Sequence, residues 1–346
     1  MCTKPLKAFR YGKTKNGKDN YIITSYKCHH VEITPQDKIL KIYEKGTNYN
    51  NIPIHDFIEI PCGKCLECKL EYSRMWADRC MLEAKQYKDN CFITLTYDED
   101  NVPVNDLNYK TLKKDDLQNF LKALRNHVNY KDGKYLKKED RDYKIIRYYA
   151  CGEYGEKKKR PHYHAILFNF IPDDLLEVGV NINGQKYYRS DFLEKIWNKG
   201  NVIVGNADWN SCAYVSRYVA KKQGVTNNNI YELTKIQEEF VLMSKKPGIG
   251  FKWYEDHNVC YANFTKNYIS TINGSKTITH NKYFDKLLDR DDPNKLEEVK
   301  SIRKEFAEER KKIKLSQTSL PYLELLQVTE NNLKQKTKSL VRKENF

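Results

Sequence analysis

The sequence predicts an α+β protein in which strands of antiparallel type alternate with helices. Two observations carry this expectation. Three runs rich in β-branched and aromatic residues read as strands: Cys91 to Tyr97 (CFITLTY), Lys144 to Gly152 (KIIRYYACG) and His162 to Phe170. Between and after them lie helical patterns. The clearest is Asp115 to Val128, where Leu117, Phe120, Leu121, Leu124 and Val128 recur at helical spacing.

In chain order, residues 1–60 read as irregular and rich in Tyr, Lys and Asn, with strand-like runs at Tyr21 to Thr24 and Ile39 to Tyr43. Glu71 to Tyr87 reads as a helix carrying Trp76, Cys80 and Tyr87. The second and third strands are joined by the loop EYGEKKKR. Ser190 caps a short helix ending near Trp197, Asn201 to Val204 is a small strand, and Asp208 or Asn210 caps a helix through Lys222. Two charged helical stretches follow at 229–244 and 284–314, and the last thirty residues look frayed. The expected organisation is an N-terminal segment at 1–70, a central domain at 71–224 and a helix-rich C-terminal region at 225–346.

The 346 residues suffice for one large or two to three small domains with a real core. The formal net charge of +15 favours a polyanionic partner such as nucleic acid, because phosphate contacts release counterions. An AT-rich coding sequence would also inflate Lys, Asn and Tyr, and the 26 tyrosines fit that bias. No run of 18 apolar residues occurs, so no membrane span is expected. Met1 to Arg10 has no apolar stretch of signal-peptide type, so the expected setting is soluble and intracellular. For such a chain the ten cysteines are not expected to form disulfides, and Cys91, Cys151 and Cys212 read as core residues. No Walker-type glycine-rich loop occurs, so no helicase is expected within this chain.

The segment His162-Tyr163-His164 is the first with chemical content. On a strand, alternate residues share a face, so the two imidazoles point the same way, about 6–7 Å apart along the strand. Two neutral imidazoles so placed can grip one divalent metal. Ile166 and Phe168 continue that face as apolar residues, which puts the histidines at the strand's end. Glu153 ends the preceding strand and lands near the pair if the two strands form an antiparallel hairpin; Glu156 competes for the same role. Two histidines and a carboxylate with open positions suit Mg2+ or Mn2+ holding a phosphate oxygen. Lys157, Lys158, Lys159 and Arg160 are either backbone contacts for nucleic acid or a solvated hairpin tip. Taken alone, the histidine pair reads equally as two partly buried core residues.

The second segment is Tyr214-Val-Ser-Arg-Tyr218-Val-Ala-Lys221. Tyr214 and Tyr218 are neighbours on one helix face, and Lys221 follows on that face. A phenol is a weak nucleophile unless a metal polarises the phosphate and an ammonium group lowers the phenol pKa. The competing reading is tyrosines packed on the sheet. The third segment, Cys62-x2-Cys65-x2-Cys68, supplies three thiols, whereas zinc wants four ligands. Cys2, Cys28, His29 and His30 are candidates for the fourth, and Cys2 is preferred because it would also tie down the N-terminus. A reduced thiol loop or an iron–sulfur site would use the same cysteines.

Taken together, these motifs resemble the HUH endonuclease superfamily, and their order resembles its rolling-circle replication initiators. Phe92 to Tyr97 resembles the first motif, RPHYH at 160–164 the second, and YVSRYVAKK at 214–222 the third in its two-tyrosine form. PCGKCLEC at 61–68, with Cys2, resembles the replication initiation proteins of gokushoviruses, small single-stranded DNA phages of the microvirus group. The resemblance covers roughly residues 60–250. It implies a central antiparallel sheet of about five strands flanked by helices. It implies Mg2+ or Mn2+ on His162 and His164, with Glu153 as third ligand at a position that varies among superfamily branches. It also implies Tyr214 and Tyr218 as nucleophiles assisted by Lys221. The implied activity is nicking of the double-stranded replicative form at its origin, covalent attachment to the 5′ end, and later rejoining of single-stranded DNA in the host bacterial cytoplasm. Unwinding would fall to a host helicase. A relaxase or transposase shares this chemistry, but relaxases often place their tyrosine ahead of the histidines. A non-catalytic, zinc-stabilised nucleic-acid-binding protein would need neither the histidine pair nor the tyrosine spacing.

Overall fold

The computed structural model describes residues 2–17, 19–44, 46, 48, 50–155, 158–180, 184–222, 228–263, 267–271, 274–278 and 281–337; within this set the side chains of 217–222, 228–229, 259–260, 262–263, 267 and 269–271 are not described. The protein is α+β, with a large antiparallel sheet and several helices. Two compact units form, Met1–Glu71 with Lys311–Phe346, and Tyr72–Arg310.

The first unit contains β1 (Leu6–Lys13), β2 (Asp19–Ser25), β3 (His30–Ile33), β4 (Ile39–Ile42), β5 (Ile52–Ile54) and β6 (Phe57–Ile60). They form two three-stranded antiparallel sheets, β2-β1-β6 and β4-β3-β5. The stretch that reads as irregular in sequence is therefore mostly β structure. Its pattern is faint because the strands are short and much of their surface is exposed, including Ile23, Ile39, Leu40, Ile52 and Ile58. The core of this unit is small: Phe9, Ile22, Cys28 and Val31. The C-terminal segment, expected to be frayed, forms a helix over Tyr322–Thr337 with Leu326 buried.

The chain enters the second unit along α1 (Leu66–Ala84), which begins five residues before the expected start. Then come β7 (Asn90–Thr96), α2 (Lys114–Val128), the hairpin β8 (Tyr130–Lys131) and β9 (Lys134–Tyr135), β10 (Arg147–Tyr154) and β11 (Pro161–Phe168). The hairpin β12 (Leu176–Val180) and β13 (Lys186–Arg189), α3 (Asp191–Trp197), β14 (Val202–Asn206) and α4 (Trp209–Lys222) follow. The remainder comprises α5 (Asn228–Thr234), β15 (Phe240–Met243), α6 (Phe251–Asn263), the hairpin β16 (Asn267–Thr271) and β17 (Gly274–Ile278), α7 (Lys282–Asp291) and α8 (Pro293–Ser316).

The main sheet has the order β12-β13-β14-β7-β11-β10-β15, seven strands rather than about five. One additional edge strand, β15, lies within the stretch expected to be helical at 229–244. Four apolar residues, FVLM, fit either period, and pairing with β10 decides the outcome. Gly152 of β10 permits that pairing, since a Cβ there would lie 2.9 Å from the Phe240 ring. The helix expected over 284–314 is also interrupted. Pro293 cannot continue α7, so the chain restarts as α8.

Strand alternation divides the unit into two apolar layers. On one face of the sheet, Ile93, Leu95, Tyr163, Ala165 and Leu167 pack against Leu117, Phe120, Leu121 and Leu124 of α2 and against Leu193 and Trp197 of α3. On the other, Tyr149, Cys151, Ile166 and Phe168 meet Trp76, Ala77, Cys80 and Ala84 of α1 and Cys212, Ala213 and Val215 of α4. Ser190 caps α3 by accepting from the Leu193 amide, as its sequence position predicts. Cys91, Cys151 and Cys212 are buried, and the described cysteines are free thiols.

Tyr163 fixes β11 from beneath. Its hydroxyl accepts the Lys113 amide at 3.0 Å and shares its proton between the Lys113 carbonyl at 2.8 Å and the Tyr97 oxygen at 2.7 Å. Tyr97 in turn donates to Asp116 at 2.7 Å. Burial pushes the Tyr163 phenol up to about 12, so it stays a neutral donor. Tyr163→Phe removes an acceptor and a donor that are wholly buried. Its unfolding free energy in urea is expected to fall by about 1–3 kcal/mol; an unchanged midpoint would mean the network contributes nothing.

Candidate functional site

Three sequence-predicted residues converge at one end of β10 and β11. The two strands pair with Glu153 opposite His162 and Cys151 opposite His164. Glu153, His162 and His164 therefore share a face, as the alternation argument requires. Ile166 and Phe168 continue that face under α1 and α4. One carboxylate oxygen of Glu153 lies 2.7 Å from His162 Nε2 and 3.0 Å from His164 Nε2. Glu153 is 1% exposed and His164 5% exposed, so the site is nearly dry at its base. Glu156, the competitor for Glu153, lies outside the described residues, as does Lys157.

The neighbours of the cluster decide what it can hold. His162 Nδ1 lies 3.1 Å from the Arg160 carbonyl, which can only accept. In the neutral ring the proton is therefore on Nδ1, and the Nε2 lone pair faces a carboxylate oxygen. That arrangement is repulsive unless a cation lies between them. His164 Nδ1 is held at 2.9 Å by the Thr94 hydroxyl. The second Glu153 oxygen, Oε2, is buried without a hydrogen-bond partner. The observed N···O separations match the roughly 3.0 Å between adjacent ligands of an octahedral ion with bonds near 2.1 Å. This donor set fits a divalent cation. Burial pushes the Glu153 carboxyl up, but hydrogen bonds from His162 and His164 outweigh it, and its pKa stays below the ordinary value.

Tyr214 of α4 stands beside this cluster. Its ring is 5.0 Å from the His164 ring, edge to face, and 6.3 Å from Phe92. Phe92 itself stacks on His164 at 5.5 Å. The buried residues Cys212, Ala213 and Val215 seat α4 on the sheet, and this sets the depth of Tyr214. Tyr218 and Lys221 lie on the same helix, but their side chains are outside the described set. Arg160, a candidate for phosphate contact, is engaged within the protein: it pairs with Glu99 and donates to the Tyr97 carbonyl at 2.6 Å.

Sequence reasoning missed Thr94 and Phe92 as parts of the site. Their signal is the alternation of CFITLTY: Phe92, Thr94 and Thr96 share one face of β7, and Thr94 pairs with His164 in register.

In the first unit, Cys2, Cys62, Cys65 and Cys68 bring their sulfurs within 4.8 Å of one another, a set that can hold a metal ion. Cys62 and Cys65 flank the turn after β6, and Cys68 sits in the first turn of α1. The Lys64 and Cys65 amides point at Cys62 Sγ, at 3.4 and 3.2 Å, and the Cys62 amide points at Cys2 Sγ, at 3.3 Å. Burial pushes the Cys2 thiol up to about 11. At Cys65 burial also acts upward, but hydrogen bonds, among them those from the Thr3 and Cys68 backbone, bring the thiol down to about 6. Of the other candidates for a fourth ligand, Cys28 turns its thiol to the carbonyls of His30 and Ile42.

Fold and site define an antiparallel α+β protein with a two-histidine, one-carboxylate cluster at the sheet end and a tyrosine helix against it. The family model for replication-associated proteins of the ORF2 type matches residues 90–223, from β7 through α4. The chain is 32% identical to the replication-associated protein ORF2 of Spiroplasma virus 4, over 77% of this chain and 78% of that protein. It is 36% identical to the replication-associated protein VP4 of Bdellovibrio phage phiMH2K, over 62% of this chain, and spans 63% of that relative's length. It is also 36% identical to the replication-associated protein ORF4 of Chlamydia phage 1, over 47% of this chain and 38% of that protein. The chain belongs to this family of phage replication-associated proteins. No solved structure matches it.

Thr94→Val removes the hydroxyl that orients His164 while preserving shape. Its Mn2+ affinity, read by titration calorimetry, is expected to fall about 10- to 100-fold. Wild-type affinity in this variant would show that Thr94 does not position a ligand.

Proposed function

We propose that this protein is a metal-dependent, site-specific DNA nickase and strand transferase of HUH type that initiates rolling-circle replication. The observation that carries the reading is the placement of Tyr214 beside the Glu153–His162–His164 cluster. An aromatic hydroxyl on a helix is common, and a histidine pair on a strand is common. A tyrosine against a buried site that fits a divalent cation, in a family of replication-associated proteins, favours phosphodiester chemistry.

In this reading Glu153, His162 and His164 hold Mg2+ or Mn2+. When bound, the ion would polarise a phosphate oxygen and so raise the electrophilicity of phosphorus. The Tyr214 phenolic oxygen attacks phosphorus, and a P–O bond to tyrosine forms as the P–O3′ bond breaks. The phenolic proton is lost and the departing 3′ oxygen takes one up, so no proton is consumed overall. The products are a 5′-phosphotyrosine ester and a free 3′-OH. One phosphodiester replaces another, so the reverse attack by a 3′-OH reseals the strand. Tyr218, one turn further along α4, is the partner for a second transfer, and Lys221 stabilises the phenolate or contacts phosphate. Thr94 and Phe92 keep the His164 ring in place, and the buried base of the site limits water access.

The substrate in this reading is single-stranded DNA and the origin of the double-stranded replicative form, in the cytoplasm of the host bacterium. The +15 charge supplies affinity for the backbone, and a host helicase supplies unwinding. The endonuclease domain is assigned to 71–224, with 225–346 as an accessory region. None of the described helices is long and apolar enough to cross a membrane. We assign the four-cysteine cluster to structural Zn2+, because four sulfurs with amide donors suit a closed tetrahedral site.

The direct test is incubation with tiled single-stranded origin oligonucleotides and Mn2+, followed by a denaturing gel. A covalent adduct is expected. It should be lost in the double variant Tyr214→Phe/Tyr218→Phe and reduced in each single variant. Full adduct in the double variant would place the nucleophile elsewhere, and no adduct with wild-type protein on any oligonucleotide would sink the enzyme reading. For the cysteines, protein purified without chelator is expected to hold zinc at the cluster, and Cys65→Ser should lower the zinc content by one equivalent. Equal zinc content in the two proteins would overturn that assignment.

A further inference from the structure

The first unit contains a second group of convergent ligands that neither the sequence motifs nor the family resemblance single out. His29, His30 and His55 bring one ring nitrogen each within 4.8 Å of one another. The register explains why. β3 and β5 pair antiparallel with Val31 opposite Ile54, and extending that register by one residue sets His55 opposite His30. His29, immediately before β3, completes the group. The ring centroids of His30 and His55 are 4.8 Å apart, and those of His29 and His30 are 5.2 Å apart.

The proton inventory is specific. His30 is fully buried, and its Nε2 lies 3.0 Å from a Glu32 oxygen. Glu32 is itself fixed by the Asn51 side chain at 2.7 Å and the Asn48 amide at 3.1 Å. A carboxylate accepts, so His30 carries its proton on Nε2, and its Nδ1 presents a lone pair. That lone pair faces His29 Nδ1 at 3.0 Å. A carboxylate that fixes the tautomer of a buried imidazole and aims its other nitrogen outward is the arrangement found behind metal-ligating histidines. His29 and His55 are exposed, so their rings can rotate to the roughly 3.4 Å ligand separation of a tetrahedral ion with bonds near 2.05 Å.

We propose that His29, His30 and His55 form a binding site for a late first-row divalent ion, Zn2+ in the cell, with a fourth position open to solvent. Imidazole nitrogens select such ions over Mg2+. The ion would join the residue before β3 to the corner between β5 and β6, and so tie the sheet β4-β3-β5 to the sheet β2-β1-β6 through the His55 segment. The unit has a core of only four buried side chains among the described residues, and small cores are commonly stapled by metals.

The test uses the full chain, freed of metal by chelator dialysis and titrated with Co2+ under reducing conditions. Thiolate coordination at the cysteine cluster produces an intense near-ultraviolet charge-transfer band. Imidazole coordination produces visible ligand-field absorption alone. The visible absorption is expected to keep growing after the charge-transfer band saturates. That second component should weaken at least tenfold in His55→Ala and in His29→Ala, leave the thiolate band unchanged, and persist in Glu153→Ala, which separates it from the site on the main sheet. His55→Cys should give the second component a new charge-transfer band. A second component that is unaffected by His55→Ala, or that vanishes in Glu153→Ala, overturns the proposal. So does the absence of a new band in His55→Cys when that variant has the circular dichroism of the wild type.

Discussion

A β-strand has two faces, and a residue cannot change face without a register slip that moves every side chain on the strand. That constraint, acting on β11, organises the second unit. β11 lies between β7 and β10, and its register is fixed on both edges over seven and eight residue pairs. With the register fixed, His162 and His164 must face α1 and α4, and Tyr163 between them must face α2. The hydrogen bonds of Tyr163 to Lys113 and Tyr97 then work with the apolar packing of Ala165 and Leu167 to prevent a slip. Glu153 and Thr94 reach the histidines because they sit directly across the ladder, one on each neighbouring strand.

The second constraint is electrostatic. A carboxylate that is 1% exposed is costly to bury unless a positive charge compensates it. Among its described neighbours, the two imidazoles are the groups that contact Glu153, and the Arg160 carbonyl fixes one of them with a bare lone pair toward the carboxylate. The arrangement is costly by itself and favourable around a cation. The fold therefore holds a site whose stability depends on the charge placed in it, with Oε2 left over as a further donor atom. The contrast with Glu83 is informative. That carboxylate is also buried, but it pairs with Arg147 and accepts the Gly250 amide at 2.7 Å, and so it needs no external charge.

Much of this was legible in the residues, for identifiable reasons. The strands of the site were readable because CFITLTY and HYHAILF combine β-branched or aromatic residues with period-two alternation, and α2 because its apolar stripe is unbroken. Ser190 was readable as a cap because the chemistry of capping is local. Features that depend on partners distant in sequence were not legible. FVLM becomes a strand only when β10 is present to pair with it. The N-terminal strands have little buried face, so their alternation leaves no clear pattern. Thr94 was visible as a strand residue, but its partnership with His164 depends on the register between β7 and β11. The cluster at His29, His30 and His55 was invisible for the same reason, since 25 positions separate His30 from His55 until β3 and β5 pair.

The two ligand-rich clusters of the first unit answer a single physical problem. Closing a chain segment costs conformational entropy, and a small apolar core returns little to offset it. Apolar burial around Phe9, Ile22, Cys28 and Val31 is limited, and many of the larger apolar side chains on these strands remain in contact with solvent. The cysteine cluster joins the N-terminus to the start of α1, and the histidine cluster joins two sheets that share no ladder. A bond to a metal is worth far more per residue than a buried methyl, and it acts at a point. With both clusters loaded, the order of the unit would follow from a few coordinate bonds at its corners, and the strands between them would be free to keep their exposed faces.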